Sequence, residues 1–319
     1  MIARVLATIL ALGTCAAQSA ETFPARNLRF VNIATPGATS DLIGRTVAEP
    51  LSKQLRHAIV VENRGGAGGT LAAGAVARAE PDGHTLLLTS SAQSGMPWLY
   101  RNLPFDPVGD FAGVAPLAEL PSVLVVPLAR KWNSLNDLIA AAKAKPGALN
   151  FGSGGTGSGT HLSSEKLMLG AGITAGHVPF KGTPEATIEV MTGRLDWIYV
   201  PAASVVSLLK EGKLKGLIVS SKTRAELLPD IPTAAEAGLA EGEYVFWVGL
   251  MAPRKTPRTA IATLNAEIAK ALKTQEVRER FRSLGAQPFT MTAAQFDTFR
   301  IADTETTGRI TKAANIKPN

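Results

Sequence analysis

Residues 150–167 read NFGSGGTGSGTHLSSEKL. This stretch contains several glycines, several hydroxyl side chains and one histidine, and it follows a short apolar run. Gly152, Gly154 and Gly157 fit the G-x-G-x-x-G pattern of dinucleotide-binding folds. A dinucleotide site also needs an acidic residue about 20 positions further along the chain, where it holds the ribose hydroxyls. Residues 172–184 contain no Asp or Glu. The stretch is therefore not typical of a dinucleotide site.

The same residues are suited to binding a bare anion. A helix that begins in this stretch presents unpaired backbone N–H groups and a partial positive charge at its N-terminus. Glycines let the backbone approach a ligand closely, and hydroxyl groups add hydrogen-bond donors. The candidate contacts are Gly155, Thr156, Ser158, Thr160 and His161. The alternative is a capped helix that follows a flexible turn and binds nothing.

Two further strand ends have a similar construction. Residues 32–45 read NIATPGATSDLIGR, and residues 89–96 read TSSAQSGM. Because ligands of open α/β sheets bind at the carboxyl ends of the strands, the three loops together predict one site. The candidate contacts in these two loops are Pro36, Gly37, Ala38, Thr39, Ser40, Asp41, Ser90, Ser91 and Ala92. A site of N–H groups and hydroxyls without an acid–base pair predicts binding and release rather than catalysis.

The sequence lacks the motifs of several other chemistries. It contains no G-x-x-x-x-G-K-[ST] phosphate loop and no G-x-S-x-G nucleophile elbow. His57, His84, His161 and His177 do not have the spacing of metal ligands, so we expect neither a metal nor a cofactor. One enzymatic alternative stays open, an exported hydrolase that uses Ser158 and His161. No Asp or Glu is placed by the sequence to orient that histidine.

The elements that hold these loops alternate between strand and helix. Apolar runs typical of strands lie at residues 28–34, 58–63, 85–91, 123–127, 149–153, 195–200, 214–220 and 245–253. A four-residue apolar spacing from Ile43 to Leu55 predicts a helix that Pro50 kinks. Capping boxes that start at Ser134 and Thr292 predict two more helix starts. The alternation predicts an α/β fold with parallel sheets and helices on both faces.

Length, N-terminus and charge set further limits. A chain of 319 residues suits two α/β domains better than a single core. Residues 1–20 read MIARVLATILALGTCAAQSA, which predicts a cleaved signal peptide and an exported protein. Cys15 is the only cysteine; lipid attachment to it is the alternative, and without it the mature chain has no thiol. The net charge is +7, but the basic residues are scattered, so we expect no nucleic-acid partner.

A series of motifs along the whole mature chain resembles one family, the substrate-binding proteins of tripartite tricarboxylate transporters (the Bug family, TctC-like). The motifs, in order, are PGATSDLIGR, VVENRGGAGGTLAAGAVARAEPDGHTLLL, LPFDPVGDF, KAKPGALNFGSGGTGSGTHL, HVPFKGTPEATIEVMTGRLD, LPDIPTAAEAGL and WVGLMAP. Each motif alone is weak, whereas the series in this order is specific.

The resemblance implies a type II periplasmic-binding fold, in which two doubly wound α/β lobes are joined by two crossing strands. The crossings would lie near residues 121–127 and 244–250, so that residues 21–121 and 246–319 form lobe one and residues 122–245 form lobe two. The loops after residues 32 and 153 would then face each other across a cleft. Between them the two helix starts would hold a small carboxylate.

The resemblance also implies a role. A monomer in the periplasm would deliver its carboxylate to the integral-membrane subunits of a tripartite tricarboxylate-type transporter. A second reading is a sensor component that presents the same complex to a two-component system, and the sequence does not separate the two.

Departures from the family pattern bear on the ligand. Ala38 stands where a second glycine is common, and Val200 followed by Pro201 stands where many members have an acidic residue. Such an apolar wall, with Phe246 as an aromatic floor, predicts an amine-free carboxylate, aromatic ones included, over amino acids. Lys181 and Ser204 complete the expected contacts. The glycine-rich residues 62–75 are interpreted as packing a helix on its sheet, with a structural Arg64.

Overall fold

The structure is a computed structural model that describes residues 23–240 and 242–318. The signal peptide expected at residues 1–20 lies outside these ranges. Within them, no helix combines the length and the apolar character needed to cross a membrane.

Strands and helices alternate along most of the chain. The strands are β1 (Leu28–Asn32), β2 (Ile59–Asn63), β3 (Thr85–Ser90), β4 (Phe111–Leu120), β5 (Ser122–Pro127), β6 (Asn150–Ser153), β7 (Gly176–Pro179), β8 (Trp197–Pro201), β9 (Leu214–Val219), β10 (Phe246–Pro253) and β11 (Gln287–Pro288). The helices are α1 (Thr39–Leu55), α2 (Thr70–Ala77), α3 (Ala92–Leu99), α4 (Leu135–Ala144), α5 (Gly159–Ala171), α6 (Thr183–Met191), α7 (Ala202–Lys210), α8 (Arg258–Ala271), α9 (Gln275–Ser283) and α10 (Ala293–Ala313).

The strands of the described residues form two mixed sheets. The six-stranded sheet has the order β11-β4-β10-β3-β1-β2, and the five-stranded sheet has the order β7-β6-β8-β5-β9. Strand β1 is parallel to β2 and β3, and β6 is parallel to β7 and β8. Strand β10 is antiparallel to β3 and β4, and β5 is antiparallel to β8 and β9. The α/β class is confirmed, and the predicted parallel pairs are present, but each sheet also contains antiparallel pairs that the strand–helix alternation did not predict.

The antiparallel strands follow from where the chain passes between the sheets. Strand β5 begins beside the end of β8, where Ser122 is opposite Pro201. Strand β10 likewise begins beside the end of β4, where Phe246 is opposite Leu120. Each of these strands therefore begins where a neighbour ends and must run in the opposite direction.

The central strands of each sheet are buried on both faces, as expected for a sheet covered by helices on two sides. Along β8, Trp197 and Tyr199 pack into one apolar cluster and Ile198 and Val200 into another. Alternate residues of β1 are divided between two clusters in the same way. Because side chains alternate across a strand, this division sets which residues are able to reach the cleft.

Several predicted helix features are confirmed. The capping boxes at Ser134 and Thr292 are formed, each with reciprocal bonds to the third helical residue. Ile43, Val47 and Leu51 are buried on one face of α1, which continues through Pro50.

The two connections between the sheets lie side by side. The Ala202 N–H donates to the Pro121 carbonyl at 3.0 Å on the first connection. The Tyr244 N–H of the second connection donates to the Ser220 carbonyl at 3.0 Å. The Ser220 N–H in turn donates to the Ser122 carbonyl at 2.8 Å.

Candidate ligand-binding site

Two adjoining cavities lie where loops of the two sheets approach each other. The first, called the cross-sheet cavity, has a volume of about 410 Å³ and is lined by Gly68, Ser91, Ala92, Gly95, Leu99, Tyr100, Gly154, Gly155, Thr156, Gly157, Ser158, Gly159, Leu162, Tyr244, Phe246, Ile316 and Lys317. The second, called the first-sheet cavity, has a volume of about 450 Å³ and is lined by Ile33, Ala34, Thr35, Ala38, Thr39, Ser40, Gly65, Gly66, Gly68, Gly69, Ser90, Ala92 and Phe246. Gly68, Ala92 and Phe246 belong to both linings, so the two cavities form one continuous site.

The loop between β6 and α5 forms one wall and is held by its own hydrogen bonds. The N–H of Gly154 donates to Thr160 Oγ1 at 3.0 Å, and the N–H of His161 donates to Ser158 Oγ at 3.3 Å. Gly157 has φ +76°, which disfavours any residue with a Cβ. Its N–H donates to His161 Nδ1 at 3.0 Å.

Some N–H groups of this loop have no acceptor. Within the described residues, no hydrogen bond engages the N–H groups of Thr156, Gly159 or Thr160. They belong to the turn that opens α5, and Thr156 and Gly159 line the cross-sheet cavity. Unpaired donors at a helix N-terminus attract an anion through hydrogen bonding and the helix dipole.

The start of α1 contributes a second set of donors from the six-stranded sheet. Ala38 caps this helix without a side-chain bond, and the N–H groups of Thr39 and Ser40 have no partner among the described residues. The Ser40 hydroxyl donates to Asn32 Oδ1 at 2.8 Å, so Ser40 offers its backbone to the cavity. Thr39 makes no side-chain hydrogen bond within the described chain and lines the first-sheet cavity with its hydroxyl open.

Asp41 stabilises this turn. Its carboxylate accepts the Gly37 N–H at 2.8 Å, Arg45 Nε at 2.9 Å and Asn63 Nδ2 at 3.0 Å. Burial works against the charge of Asp41, but these hydrogen bonds and the Arg45 guanidinium outweigh it and lower the pKa of the carboxyl. The carboxylate is thus committed to its own helix, and Asp41 does not line either cavity.

The end of β3 supplies the third loop. Ser90 Oγ accepts the Ala92 N–H at 3.3 Å, and the Ser91 N–H donates to the Trp247 carbonyl at 3.0 Å. The Ser91 hydroxyl has no hydrogen bond within the described residues and lines the cross-sheet cavity. The three loops predicted from the sequence therefore meet at one place.

A column of stacked rings lies behind the loop of residues 153–160. The rings of His161 and His177 stack with their centroids 3.8 Å apart, and Phe151 stacks 4.9 Å from His177. Burial, followed by the neighbouring His161, lowers the pKa of His177 from its ordinary value of 6.5 to about 4. His177 Nε2 lies 2.7 Å from Ser153 Oγ, so a neutral ring supports the loop from beneath.

His161 is part of this support rather than of the cavity lining. It is 3 % exposed, and Nε2 lies 3.3 Å from Glu165 Oε1. The expectation that no acidic residue orients this histidine is therefore wrong. The spacing of four residues on one helix was the signal that could have identified Glu165.

Several other expected contacts lie away from both cavities. Pro36 and Gly37 are exposed on the turn before α1. The Thr160 hydroxyl is engaged by the Gly154 N–H and Ser158 Oγ. Lys181 is exposed on the turn after β7, and Ser204 donates to the Pro201 carbonyl at the start of α7. Neither Pro201 nor these side chains line the cavities.

The interpretation of Val200 as an apolar wall of the cleft is wrong. Its side chain is 0 % exposed and packs with Val123, Val125 and Ala186 in the core of the five-stranded sheet. The reason is the alternation of β8, which points Val200 to the same face as Ile198.

The sequence did not identify several residues that line the site. The glycine-rich stretch contributes Gly65, Gly66, Gly68 and Gly69 to the first-sheet cavity, in addition to its packing role. Gly68 has φ +61°, and a Cβ there would lie 2.0 Å from the Tyr100 hydroxyl oxygen, so a larger residue would be strained and would displace Tyr100. Further unpredicted lining residues of the cross-sheet cavity are Leu99, Tyr100, Leu162, Tyr244, Ile316 and Lys317.

The residues that line the two cavities carry little charge. No acidic side chain lines either cavity in the described parts of the chain, and the one charged lining residue there is Lys317. No group of three or more His, Cys, Asp or Glu residues in those parts is arranged to hold a metal. The site thus offers neutral donors, hydroxyls, an apolar wall and one cation.

Sequence comparison gives the following matches. Residues 43–316 match the family described as "Tripartite tricarboxylate transporter family receptor". Protein BugT of Bordetella pertussis (strain Tohama I) is 34% identical over 298 residues, which cover 92% of this chain and 91% of BugT.

Comparison with solved structures gives two further similarities. The structure described as R. palustris Rpa4515 with adipate matches with a TM-score of 0.71 and 30% identity, covering 93% of this chain and 100% of that chain. A TctC solute binding protein from Polaromonas, solved without ligand, matches with a TM-score of 0.83 and 26% identity, covering 91% of this chain and 99% of that one.

Proposed function

This chain belongs to the tripartite tricarboxylate transporter receptor family, and we propose that it is a periplasmic solute-binding protein that captures a small carboxylate and delivers it to the membrane subunits of such a transporter. The observation that carries the proposal is the pair of helix starts, α1 and α5. In the described parts of the chain, both present unpaired N–H groups beside adjoining cavities that no acidic residue lines. Such groups favour an anion, and a carboxylate is one of the anions that bind at helix N-termini.

The proposed ligand contacts combine backbone donors with open hydroxyls. Within the described residues the unpaired donors among these contacts are the N–H groups of Thr39, Ser40 and Thr156 and the hydroxyls of Thr39 and Ser91. Further proposed contacts that line the cavities beside these donors are Ala38, Ser90, Ala92, Gly155 and Ser158. Hydrogen bonds to an ionised carboxylate are each worth about 1.5–3 kcal/mol, roughly twice a neutral bond. Phe246, which lines both cavities, would contact the apolar body of the ligand.

The proposed mechanism is closure of two lobes on the ligand. Lobe one comprises residues 21–121 and 246–319, and lobe two comprises residues 122–245. The two adjacent connections at Pro121 and Tyr244 would serve as the hinge.

The arrangement of Ser158 supports binding rather than hydrolysis. Catalysis by this serine needs a free imidazole nitrogen as general base. His161 Nδ1 accepts the Gly157 N–H at 3.0 Å, and Nε2 faces Glu165 at 3.3 Å. Neither nitrogen is available to the Ser158 hydroxyl. We propose that the protein acts as a monomeric carrier and not as an enzyme.

Calorimetry and scattering test the proposal together. The panel is adipate, hexanoate, benzoate, phthalate and aspartate. We expect at least one of the four amine-free acids to bind with one site per chain and to raise the melting temperature. A ligand at 100 times its Kd stabilises a native state by about 2.7 kcal/mol.

The same complex should have a smaller radius of gyration than the free protein, because the hinge closes. An unchanged radius at saturation would contradict closure. The absence of binding by every acid in the panel, or turnover of their methyl esters, would contradict the carrier function itself.

A further inference from the structure

The C-terminal residues form one side of the cross-sheet cavity. Ile316 and Lys317 line it together with the loop of residues 154–159. These residues follow α10, which belongs to the six-stranded half of the molecule, yet they meet the loop of the other sheet. The segment therefore reaches across the cleft.

The path of this segment is fixed by the way α10 ends. Asn315 adopts the left-handed conformation with φ 51°, and its N–H donates to the Lys312 carbonyl at 3.2 Å. The Ile316 N–H donates to the Thr311 carbonyl at 3.0 Å. The two bonds form a Schellman motif, in which asparagine is a common alternative to glycine at the left-handed position.

An apolar contact holds the segment after the turn. Ile316 packs against Leu162, Tyr244 and Ile310. Leu162 lies in the first turn of α5, directly after the loop whose N–H groups are unpaired. The backbone of Lys317 is thus held beside the cavity by the residue that precedes it, while its own side chain is exposed.

The position of this lysine has a consequence for the ligand. The loop of α5 offers neutral donors, whereas Lys317 supplies the one formal charge in the described lining of either cavity. A ligand with one carboxylate is satisfied by the loops alone. A ligand with a second carboxylate gains a partner only if a cation lies within reach of its other end.

We propose that Lys317 pairs with the second carboxylate of a dicarboxylate and makes the site select dicarboxylates over monocarboxylates of the same length. The proposal rests on the proposed carboxylate-binding function. In this proposal, the N–H donors at the starts of α1 and α5 bind the carboxylate at one end of the ligand. Lys317 binds the carboxylate at the other end.

The test measures affinity by calorimetry for matched pairs of acids, from succinate with butyrate to suberate with octanoate. In the wild type, we expect the best dicarboxylate to bind more tightly than its matched monocarboxylate. Lys317→Gln should weaken that dicarboxylate about three- to fivefold and change the monocarboxylate less than about 1.5-fold, because the side chain is exposed and exposed ion pairs are weak. Lys317→Arg should retain most of the preference.

Lys312→Gln is the matched control. It removes the same charge from the last turn of α10, but Lys312 is exposed and lines neither cavity. We expect it to leave both affinities unchanged. The preference of the wild type should also shrink between low and high salt, since an exposed cation is screened, and this salt dependence should be absent in Lys317→Gln.

The outcomes separate the two proposals. Equal losses for both acids in Lys317→Gln, no loss for either, or no dicarboxylate preference in the wild type would overturn the role of Lys317 and leave carboxylate binding intact. Failure of every acid to bind the wild type would overturn the proposed function and this inference with it.

Discussion

Ser158 allows the contribution of a ligand contact to be separated from that of a helix cap. The residue caps α5 and also lines the cross-sheet cavity. Removing its hydroxyl therefore affects both stability and binding. Two substitutions divide these effects, because Ser158→Ala and Ser158→Gly both remove the hydroxyl, whereas glycine is a far better N-cap than alanine.

The expected magnitudes follow from the contacts. Ser158 Oγ accepts the His161 N–H at 3.3 Å, which is longer than the usual distance of about 2.9–3.0 Å, and it lies 3.1 Å from Thr160 Oγ1. We therefore expect Ser158→Ala to reduce the free energy of unfolding by about 0.5–1 kcal/mol, at the lower end for a cap, and Ser158→Gly by a few tenths. For a chain of this size the alanine variant should melt about 1–3 °C lower.

Binding should respond differently from stability. If the hydroxyl donates to the carboxylate, both variants lose one hydrogen bond, worth about 0.5–1.5 kcal/mol. That loss corresponds to a Kd about two- to thirteenfold higher in each variant. Titration calorimetry with the tightest acid of the panel measures this change, and thermal melting without ligand measures the cap.

The control is Ser134→Ala. Ser134 caps α4 in the same half of the molecule, accepts the Asp137 N–H at 3.2 Å and lines neither cavity. Ser134→Ala should lower the melting temperature about as much as Ser158→Ala does, and it should leave the Kd of the ligand unchanged. Unchanged affinity in both Ser158 variants would assign Ser158 to capping alone. A loss only in Ser158→Ala would show that the effect on binding passes through the helix start.

Two further predictions concern the second half of the molecule. Val200→Asp should reduce the free energy of unfolding by several kcal/mol, since it places a carboxylate without a partner in the core around Val123; urea unfolding close to that of the wild type would contradict the burial of this side chain. The free energy of unfolding should also fall as the pH decreases from about 6.5 towards about 4, because the pKa of His177 is lowered on folding and the unfolded chain binds the additional proton. His177→Gln should reduce that pH dependence, and an identical slope in the variant would refute the assignment to His177.

The loops of the site were predictable because their signals are local. The strands β1, β3 and β6 are short apolar runs, and glycine, serine and threonine follow each of them. Because ligands of open α/β sheets bind at the carboxyl ends of the strands, these loops could be assigned to one site before the strand order was known. At the ends of these three strands, the sequence pattern and the position of the loop in the fold lead to the same site.

The elements that escaped prediction lack such signals. Strand β4 reads FAGVAPLAEL, in which alanine, glycine and proline obscure both the strand period and strand propensity. It forms because β10 pairs along almost its whole length and both faces are buried. The two-residue pairing of β11 and the antiparallel direction of β5 and β10 also depend on long-range contacts.

The residues of the site that were missed come from distant parts of the chain. Tyr244 belongs to the second connection between the sheets, and Ile316 and Lys317 follow the last helix. No spacing relates them to the loop after β6. Their position depends on how α10 packs and ends, which a local pattern does not reveal.

The preference for an amine-free ligand no longer depends on Val200. An ammonium group that enters the closed site needs an acceptor, and no carboxylate lines either cavity in the described residues. Without one, desolvation of the ammonium costs several kcal/mol, and the nearby N–H donors and Lys317 oppose its charge. The apolar body of the ligand would instead contact Leu99, Tyr100 and Phe246. We therefore expect an amino acid such as aspartate to bind more weakly than an amine-free acid, because no acidic side chain in the described lining can pair with its ammonium group. Tight binding of aspartate in calorimetry, with no response to adipate, benzoate or phthalate, would refute this expectation.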